Sequence, residues 1–268
     1  MIILTGTLSQ LKQQVDIRRT AVAQNTDVQT IVQAIIAKVR AEGDSALRTY
    51  SNKLDHVTVN DFQVDQALID AAPAQLPAKL LKALQLAKAN ITSYHQNEIE
   101  RGFVDTPNSG IIRGQKITPL AAVGLYVPGG TAAYPSTILM TAIPAKLAGV
   151  KKIVMVTPPQ PDGLNPVVLA AANLAGVDAI YQVGGAQAIA ALAYGTESIP
   201  RVDKIMGPGN RYVAEAKKQV FGNVAIDMIA GPSEIGIIAD ESADPIRLAA
   251  DLLSQAEHDP NARAMMVT

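Results

Sequence analysis

Gln255 and His258 stand three residues apart in the run Ser254-Gln255-Ala256-Glu257-His258, so on a helix their side chains share a face. A neutral imidazole is a good zinc ligand, and a carboxamide oxygen is a harder, weaker one. Zinc normally takes three or four protein ligands, so the isolated pair by itself reads first as the end of a helix that Asp259-Pro260 terminates. His56 and His95 have no ligand spacing with anything and read as surface or structural residues. The chain holds no cysteine, which excludes disulfides, thiolate zinc sites and thiol nucleophiles.

Four Gly-rich turns precede that run, each where a short apolar stretch gives way to a polar or helix-starting segment. Tyr126 ends one apolar stretch before Pro128-Gly129-Gly130, where its ring can stack on a flat ligand or its hydroxyl can hydrogen-bond; a half-buried strand tyrosine is the plain alternative. Gly184-Gly185-Ala186-Gln187 is a tight turn leading into a helix of small residues, with Gln187 its polar exception. Gly207-Pro208-Gly209-Asn210 precedes a helix that Asn210 can cap, unless its side chain faces a ligand. A helix N-terminus favours anions such as a pyrophosphate. The segment departs from the dinucleotide fingerprint, because Tyr212 occupies the place of the third glycine. Ala230-Gly231-Pro232-Ser233-Glu234 offers Ser233 as a donor, although Ser, Gly and Pro are also ordinary turn residues. Taken singly, the turns at 184–187 and 207–210 read as plain strand-to-helix connections, and the one at 230–234 as an ordinary turn between domains.

The elements that must position these residues are legible in the hydropathy pattern. From about residue 120, apolar runs alternate with helical patterns: 121–127 then 136–148, 152–156 then 164–175, 179–182 then 185–194, 204–206 then 210–221. Strands alternating with helices of this length predict βαβ units and a parallel sheet, whose ligands bind beyond the carboxyl ends of the strands. Upstream, residues 26–54 read as helical, with Asp27 as a cap and a break at Gly43-Asp44, and 77–100 form a second long helix. Between them 62–64 is a short strand candidate, and 111–117 is another strand. Downstream, 235–239 and 264–267 read as strands bracketing a helix at 244–257.

The fold class expected is therefore α/β, with a Rossmann-like parallel sheet domain over 120–234 inserted into a second α/β domain. That outer domain comprises 19–119 together with 235–268, and 1–18 form an N-terminal segment. Met265-Met266-Val267-Thr268 ends the chain on an apolar strand pattern, which predicts an outer domain left incomplete. Of the 268 residues, 48% are hydrophobic, 18% are charged, and the net charge is −1. No basic face points to nucleic acid or an anionic membrane, and the apolar stretches are too short to span a bilayer. The first residues lack the pattern of a signal peptide, so a cytoplasmic location is expected.

The order and wording of the turns together resemble the histidinol dehydrogenase family. The segments that carry the likeness are Val123-Gly124-Leu125-Tyr126-Val127-Pro128-Gly129-Gly130, Val183-Gly184-Gly185-Ala186-Gln187-Ala188-Ile189-Ala190-Ala191-Leu192, Asp203-Lys204-Ile205-Met206-Gly207-Pro208-Gly209-Asn210, Ile226-Asp227-Met228-Ile229-Ala230-Gly231-Pro232-Ser233-Glu234 and Asp251-Leu252-Leu253-Ser254-Gln255-Ala256-Glu257-His258. The resemblance implies an aldehyde-dehydrogenase-like architecture and an enzyme of histidine biosynthesis. It would oxidise L-histidinol to L-histidine through L-histidinaldehyde with two NAD, zinc holding the substrate, in a cytoplasmic homodimer. Position by position, it implies that Tyr126, Gln187 and Asn210 contact NAD, that Ser233 contacts substrate, and that Gln255 and His258 bind both zinc and substrate. Family members continue beyond this length, where a Glu-His acid–base pair and further zinc ligands lie. No catalytic residue is therefore expected within this chain, and the chain alone is expected to be silent. The alternative from another class is a shortened, non-catalytic paralogue that binds a nucleotide or an imidazole.

Overall fold

A computed structural model of the chain describes residues 4–14, 25–129, 134–229, 234–257 and 262–268. After a short helix α1 (Leu8–Gln14), the first long element is α2 (Asn25–Glu42). It buries Val28, Val32, Ile35, Ile36 and Val39, a stripe at helical spacing. Asp27, expected as its cap, instead lies inside the first turn, because the helix starts two residues earlier; a carboxylate still suits that end of the dipole. Gly43, at φ +53, separates α2 from α3 (Asp44–Tyr50), which runs on into a π-helical turn, Ser51–Asp55. His56 closes this turn in the left-handed conformation, its N–H donating to the Ser51 carbonyl.

Next come α4 (Gln66–Gln75) and α5 (Ala78–His95), then the antiparallel pair β1 (Phe103–Asn108) and β2 (Ile111–Gln115). The hydropathy pattern missed α4, since it is short and buries only Ile69 and Ala72. Its start is nonetheless well marked, because the Asp65 carboxylate accepts a hydrogen bond from the Ala67 N–H at 3.0 Å.

The alternating region then builds the central sheet. Its elements are β3 (Ala122–Tyr126), α6 (Pro135–Leu147), β4 (Lys152–Thr157), α7 (Pro166–Ala175), β5 (Ala179–Gln182) and α8 (Gly185–Tyr194), followed by β6 (Lys204–Met206), α9 (Arg211–Val220) and β7 (Ala225–Ile226). All pairings between these strands are parallel, in the order β5-β4-β3-β6-β7. The chain winds outward from β3 to β5, returns to the other side of β3 and winds outward again. The reversal between β3 and β6 is the topological switch point of a doubly wound sheet.

Both faces of the sheet are covered, which is why its strands are apolar throughout rather than alternating with polar residues. On one face Val154, Val156 and Tyr181 pack with α2, α3, α8 and α9; on the other Leu125, Ile153, Met155 and Ile180 pack with α4 to α7. Polar groups pin the strand starts. Asp203 accepts from the backbone N–H groups of Ala121 and Ala122, each at 2.9 Å, and Asp178 accepts from that of Ile153 at 2.7 Å.

The strand expected at 62–64 is reduced to one antiparallel bridge, Gln63 to Tyr181, on the outer side of β5. Two bonds flank it: the Val64 N–H donates to the Ile180 carbonyl at 2.9 Å, and the Gln182 N–H to the Phe62 carbonyl at 2.7 Å. Beyond the sheet, β8 (Glu234–Ile238), α10 (Pro245–Ala256) and β9 (Arg263–Val267) form a parallel βαβ unit. Asp244 caps α10 by accepting from the Ile246 N–H. Among the described residues, no helix is long and apolar enough to cross a membrane.

Candidate functional site

The carboxyl ends of the sheet strands meet at a cavity of about 440 Å³. Tyr126, Pro128 and Gly129 enter it from the loop after β3, Pro158 from the loop after β4, and Gly185, Ala186 and Gln187 from the start of α8. Asn210 and Tyr212 come from the start of α9. The wall is completed from outside the sheet by Ile31 and Ile35 of α2 and by Leu54 and Asp55 of the π-helical turn. The position is the one that strand order dictates, at the switch point and its flanks.

Three sequence-named residues come together here. Tyr126 is 3% exposed, and its hydroxyl accepts a hydrogen bond from the Gly185 N–H at 3.1 Å. Burial pushes the phenol's pKa up to about 12, so at neutral pH the hydroxyl keeps its proton and can donate it. Gln187, only 1% exposed, has its Oε1 buried without a partner. A buried oxygen left in this state costs on the order of 1–3 kcal/mol, a cost that an incoming donor relieves. Asn210 caps α9: its Oδ1 accepts from the N–H groups of Tyr212 at 3.0 Å and Val213 at 3.1 Å. That occupies the oxygen and leaves the amide nitrogen as the group able to serve a ligand.

Two glycines shape the approach. Gly185 sits at φ +65, and a Cβ there would lie 2.6 Å from the Gln187 Oε1. At Gly207, φ is +115 and a Cβ would fall 2.1 Å from the Tyr126 carbonyl oxygen. At Gly207 a side chain would have to displace the backbone after β3, and at Gly185 it would adopt a strained conformation and push the Gln187 side chain aside.

Sequence reasoning passed over two residues that matter to this geometry. Lys217, on the inner side of α9 and 2% exposed, donates from Nζ to the Gly207 carbonyl at 3.0 Å and pairs with the Asp227 carboxylate. Asp227 in turn accepts from the Gly207 N–H at 2.7 Å and the Met228 N–H at 2.6 Å. The turn that delivers Asn210 is thus clamped on both sides of its first glycine. The available signal was a lysine placed four residues after Val213 and one after Ala216, on an otherwise apolar face. The second is Asp55, whose Oδ2 is buried and unpaired. Burial raises this carboxyl from its ordinary range to about 6, the nearby His56 opposing the rise. Nothing in the local sequence marks Asp55 out.

Gln255 lies half-buried in the last turn of α10, at a distance along the chain from the cavity residues. Ser233 and His258 fall outside the described residues. Among the described residues, no group of three or more His, Cys, Asp or Glu side chains is placed to hold a metal ion.

A doubly wound α/β protein with a ligand cavity at its switch point is the class these observations define. The family model for histidinol dehydrogenase matches residues 18–268. The chain belongs to the histidinol dehydrogenase family. It is 62% identical over 270 residues to a histidinol dehydrogenase of Lactiplantibacillus plantarum, and 58% identical over 268 residues to one of Listeria monocytogenes. Each match covers 100% of this chain and 62% of the relative. The crystal structure of histidinol dehydrogenase from Elizabethkingia anophelis superposes with a TM-score of 0.80 at 43% identity, over 89% of this chain and 56% of that one. The chain thus spans about six-tenths of the length of the curated relatives it matches.

Proposed function

We propose that this chain carries the nucleotide-binding part of an NAD-dependent, zinc-dependent histidinol dehydrogenase. The activity would be the four-electron oxidation of L-histidinol to L-histidine through L-histidinaldehyde, in histidine biosynthesis. The observation that carries the reading is the switch-point cavity, where Tyr126 offers a proton, Gln187 an unpaired oxygen and two glycines a close approach.

These residues fit NAD, which when bound would accept the hydride. The cavity's own groups bind and orient. The N-termini of α8 and α9 both open onto it, which suits a pyrophosphate. Ile31, Ile35 and Leu54 offer an apolar wall that a flat ring can displace water from. Tyr126 would donate its hydroxyl proton to the nucleotide, Gln187 would accept through Oε1, and Asn210 would donate through its amide while continuing to cap α9.

Zinc and substrate enter the proposal through Gln255, His258 and Ser233. Gln255 is the one of these among the described residues, and a single carboxamide oxygen does not make a zinc site. No step is therefore derived through the metal. The proposal places no catalytic acid–base pair within these 268 residues; that role falls to the part of the relatives' length that this chain does not span. An inserted nucleotide-binding domain over 120–234, a homodimeric assembly and a cytoplasmic location belong to the same reading.

NADH formation by the intact gene product with L-histidinol as sole substrate tests it. Two NADH per histidinol, abolished by a zinc chelator, is the expected result. No histidinol-dependent NADH from a folded, zinc-loaded protein would overturn the reading in favour of a non-catalytic nucleotide- or imidazole-binding protein.

A further inference from the structure

Asp55 stands apart from the other cavity residues. It is not on the sheet or its connecting loops but on the π-helical turn that follows α3, and this turn is irregular for a reason. Its carbonyl at Ser51 takes the N–H groups of both His56 and Val57, and His56 is held at φ +56, the left-handed region that non-glycine residues adopt at a cost. The wider turn rotates Leu54 and Asp55 toward the cavity, where both form part of its wall. The carboxyl comes near enough to Tyr126 for its charge to add to the phenol's reluctance to ionise.

The cavity therefore holds two buried acceptor oxygens without partners, Oδ2 of Asp55 from the π-helical turn and Oε1 of Gln187 from α8. Buried acceptors of this kind are satisfied by a ligand that brings O–H or N–H donors. A ribose with both hydroxyls free does so. A phosphate ester on that ribose removes a donor and sets an anion against a partly buried carboxyl, where like charges repel more strongly than in bulk water.

We infer that Asp55 is a specificity-determining residue of the cavity: it accepts from a free ribose hydroxyl of the dinucleotide and excludes a nucleotide phosphorylated at that ribose. The inference rests on the nucleotide-binding reading and adds a selection rule to it, NAD over NADP. It also assigns the irregular turn a role, since a regular helical end would carry Asp55 on a different bearing.

Equilibrium binding of NAD and of NADP to the full chain, by titration calorimetry, tests it, alongside the variants Asp55→Asn and Asp55→Ser. Wild type is expected to prefer NAD. In Asp55→Asn, which keeps the shape but loses the charge, the NAD-to-NADP preference is expected to shrink about tenfold, chiefly by tighter NADP binding. Asp55→Ser, too short to reach the ribose, is expected to lose NAD affinity about tenfold as well. Far-ultraviolet circular dichroism and a melting curve establish that each variant is folded. An unchanged preference in a folded variant overturns the inference, as does an equal loss for both nucleotides, which would make Asp55 structural. Wild type binding both nucleotides alike overturns it while leaving the nucleotide reading intact; wild type binding neither overturns both.

Discussion

Lys217→Met tests whether the buried pair, rather than the glycines alone, holds the turn that delivers Asn210. Methionine preserves the apolar stem and removes the ammonium. Two interactions go with it: the bond to the Gly207 carbonyl at 3.0 Å and the pairing with Asp227. Breaking a fully buried ion pair costs about 3–5 kcal/mol, because the surviving charge is stranded. Asp227 is not fully stranded here, since its side chain is 29% exposed and keeps the N–H groups of Gly207 and Met228 as donors. The expected loss is accordingly about 2–3 kcal/mol, read in urea titrations as a lower midpoint at unchanged slope. In a protein of this size, that corresponds to a fall in Tm of about 5–10 °C. Asp227→Asn is the second arm, and the double variant closes a cycle. If the pair is the source, the double variant is less destabilised than the sum of the singles by 1 kcal/mol or more, about the size typical of residues in contact. Strictly additive effects, or a Lys217→Met loss below about 1 kcal/mol, would refute the reasoning. Binding of NAD should weaken in Lys217→Met even where the variant is fully folded, since the residue positions the turn without touching the ligand.

Other substitutions have equally definite expectations. Asp55, raised from 3.8 to about 6, favours folding in its protonated form, so its contribution is complete below pH about 4 and is lost as pH rises through 6. Asp55→Asn should therefore stabilise the protein at pH 7.5 by on the order of 1–2 kcal/mol, discounted for partial exposure, and change little at pH 4; destabilisation at pH 7.5 would sink the argument. Asp44 behaves oppositely. Burial works against its ionisation, but hydrogen bonds from Ser198 and Thr196 outweigh that and hold its carboxyl below the usual range. Asp44→Ala should cost about 2–3 kcal/mol at neutral pH, with the deficit narrowing as wild type is acidified through and below pH 4; a pH-independent loss would count against it. Gly185→Ala should destabilise by about 1–2 kcal/mol and weaken NAD binding, because the new methyl meets Gln187 Oε1; undiminished binding calorimetry would contradict the geometry.

Much of the sheet could be read from hydropathy alone, and the reason is physical. Strands such as Lys152–Thr157 and Ala179–Gln182 are buried on both faces, so they appear as short, uninterrupted apolar runs with a glycine or proline close behind. The strand order followed from no local signal, yet the turns after β3, β5 and β6 were marked as ligand-facing, and Tyr126, Gln187 and Asn210 do gather there. What stayed hidden depends on contacts distant in the chain. Asp55 reaches the cavity only because a π-helical turn rotates it, and a 3.6-residue period does not foresee that. Lys217 stands out on its apolar helix face, but its partner Asp227, ten residues later, is found only once the fold closes back on it. The two-residue strand β7 is too short to leave a periodic trace, and sequence alone does not show that Asn210's oxygen is taken up by capping α9.

The single bridge between Gln63 and Tyr181 bears on how the open edge of the sheet is kept from pairing with a strand of another chain. A parallel sheet ends in a row of unpaired N–H and C=O groups along its outermost strand, a template for another chain. Here the row along β5 is met by residues 62–64, which bond to the Ile180 carbonyl and the Gln182 N–H and then turn away into α4. One residue of true pairing is enough to occupy the edge and too little to extend it. The segment behaves as a stopper: it satisfies the rim while offering no fresh strand for a neighbour to join. Removing or rigidly straightening that stretch would uncover an apolar strand rim, and amyloid-like stacking, rather than simple loss of fold, is the failure to expect.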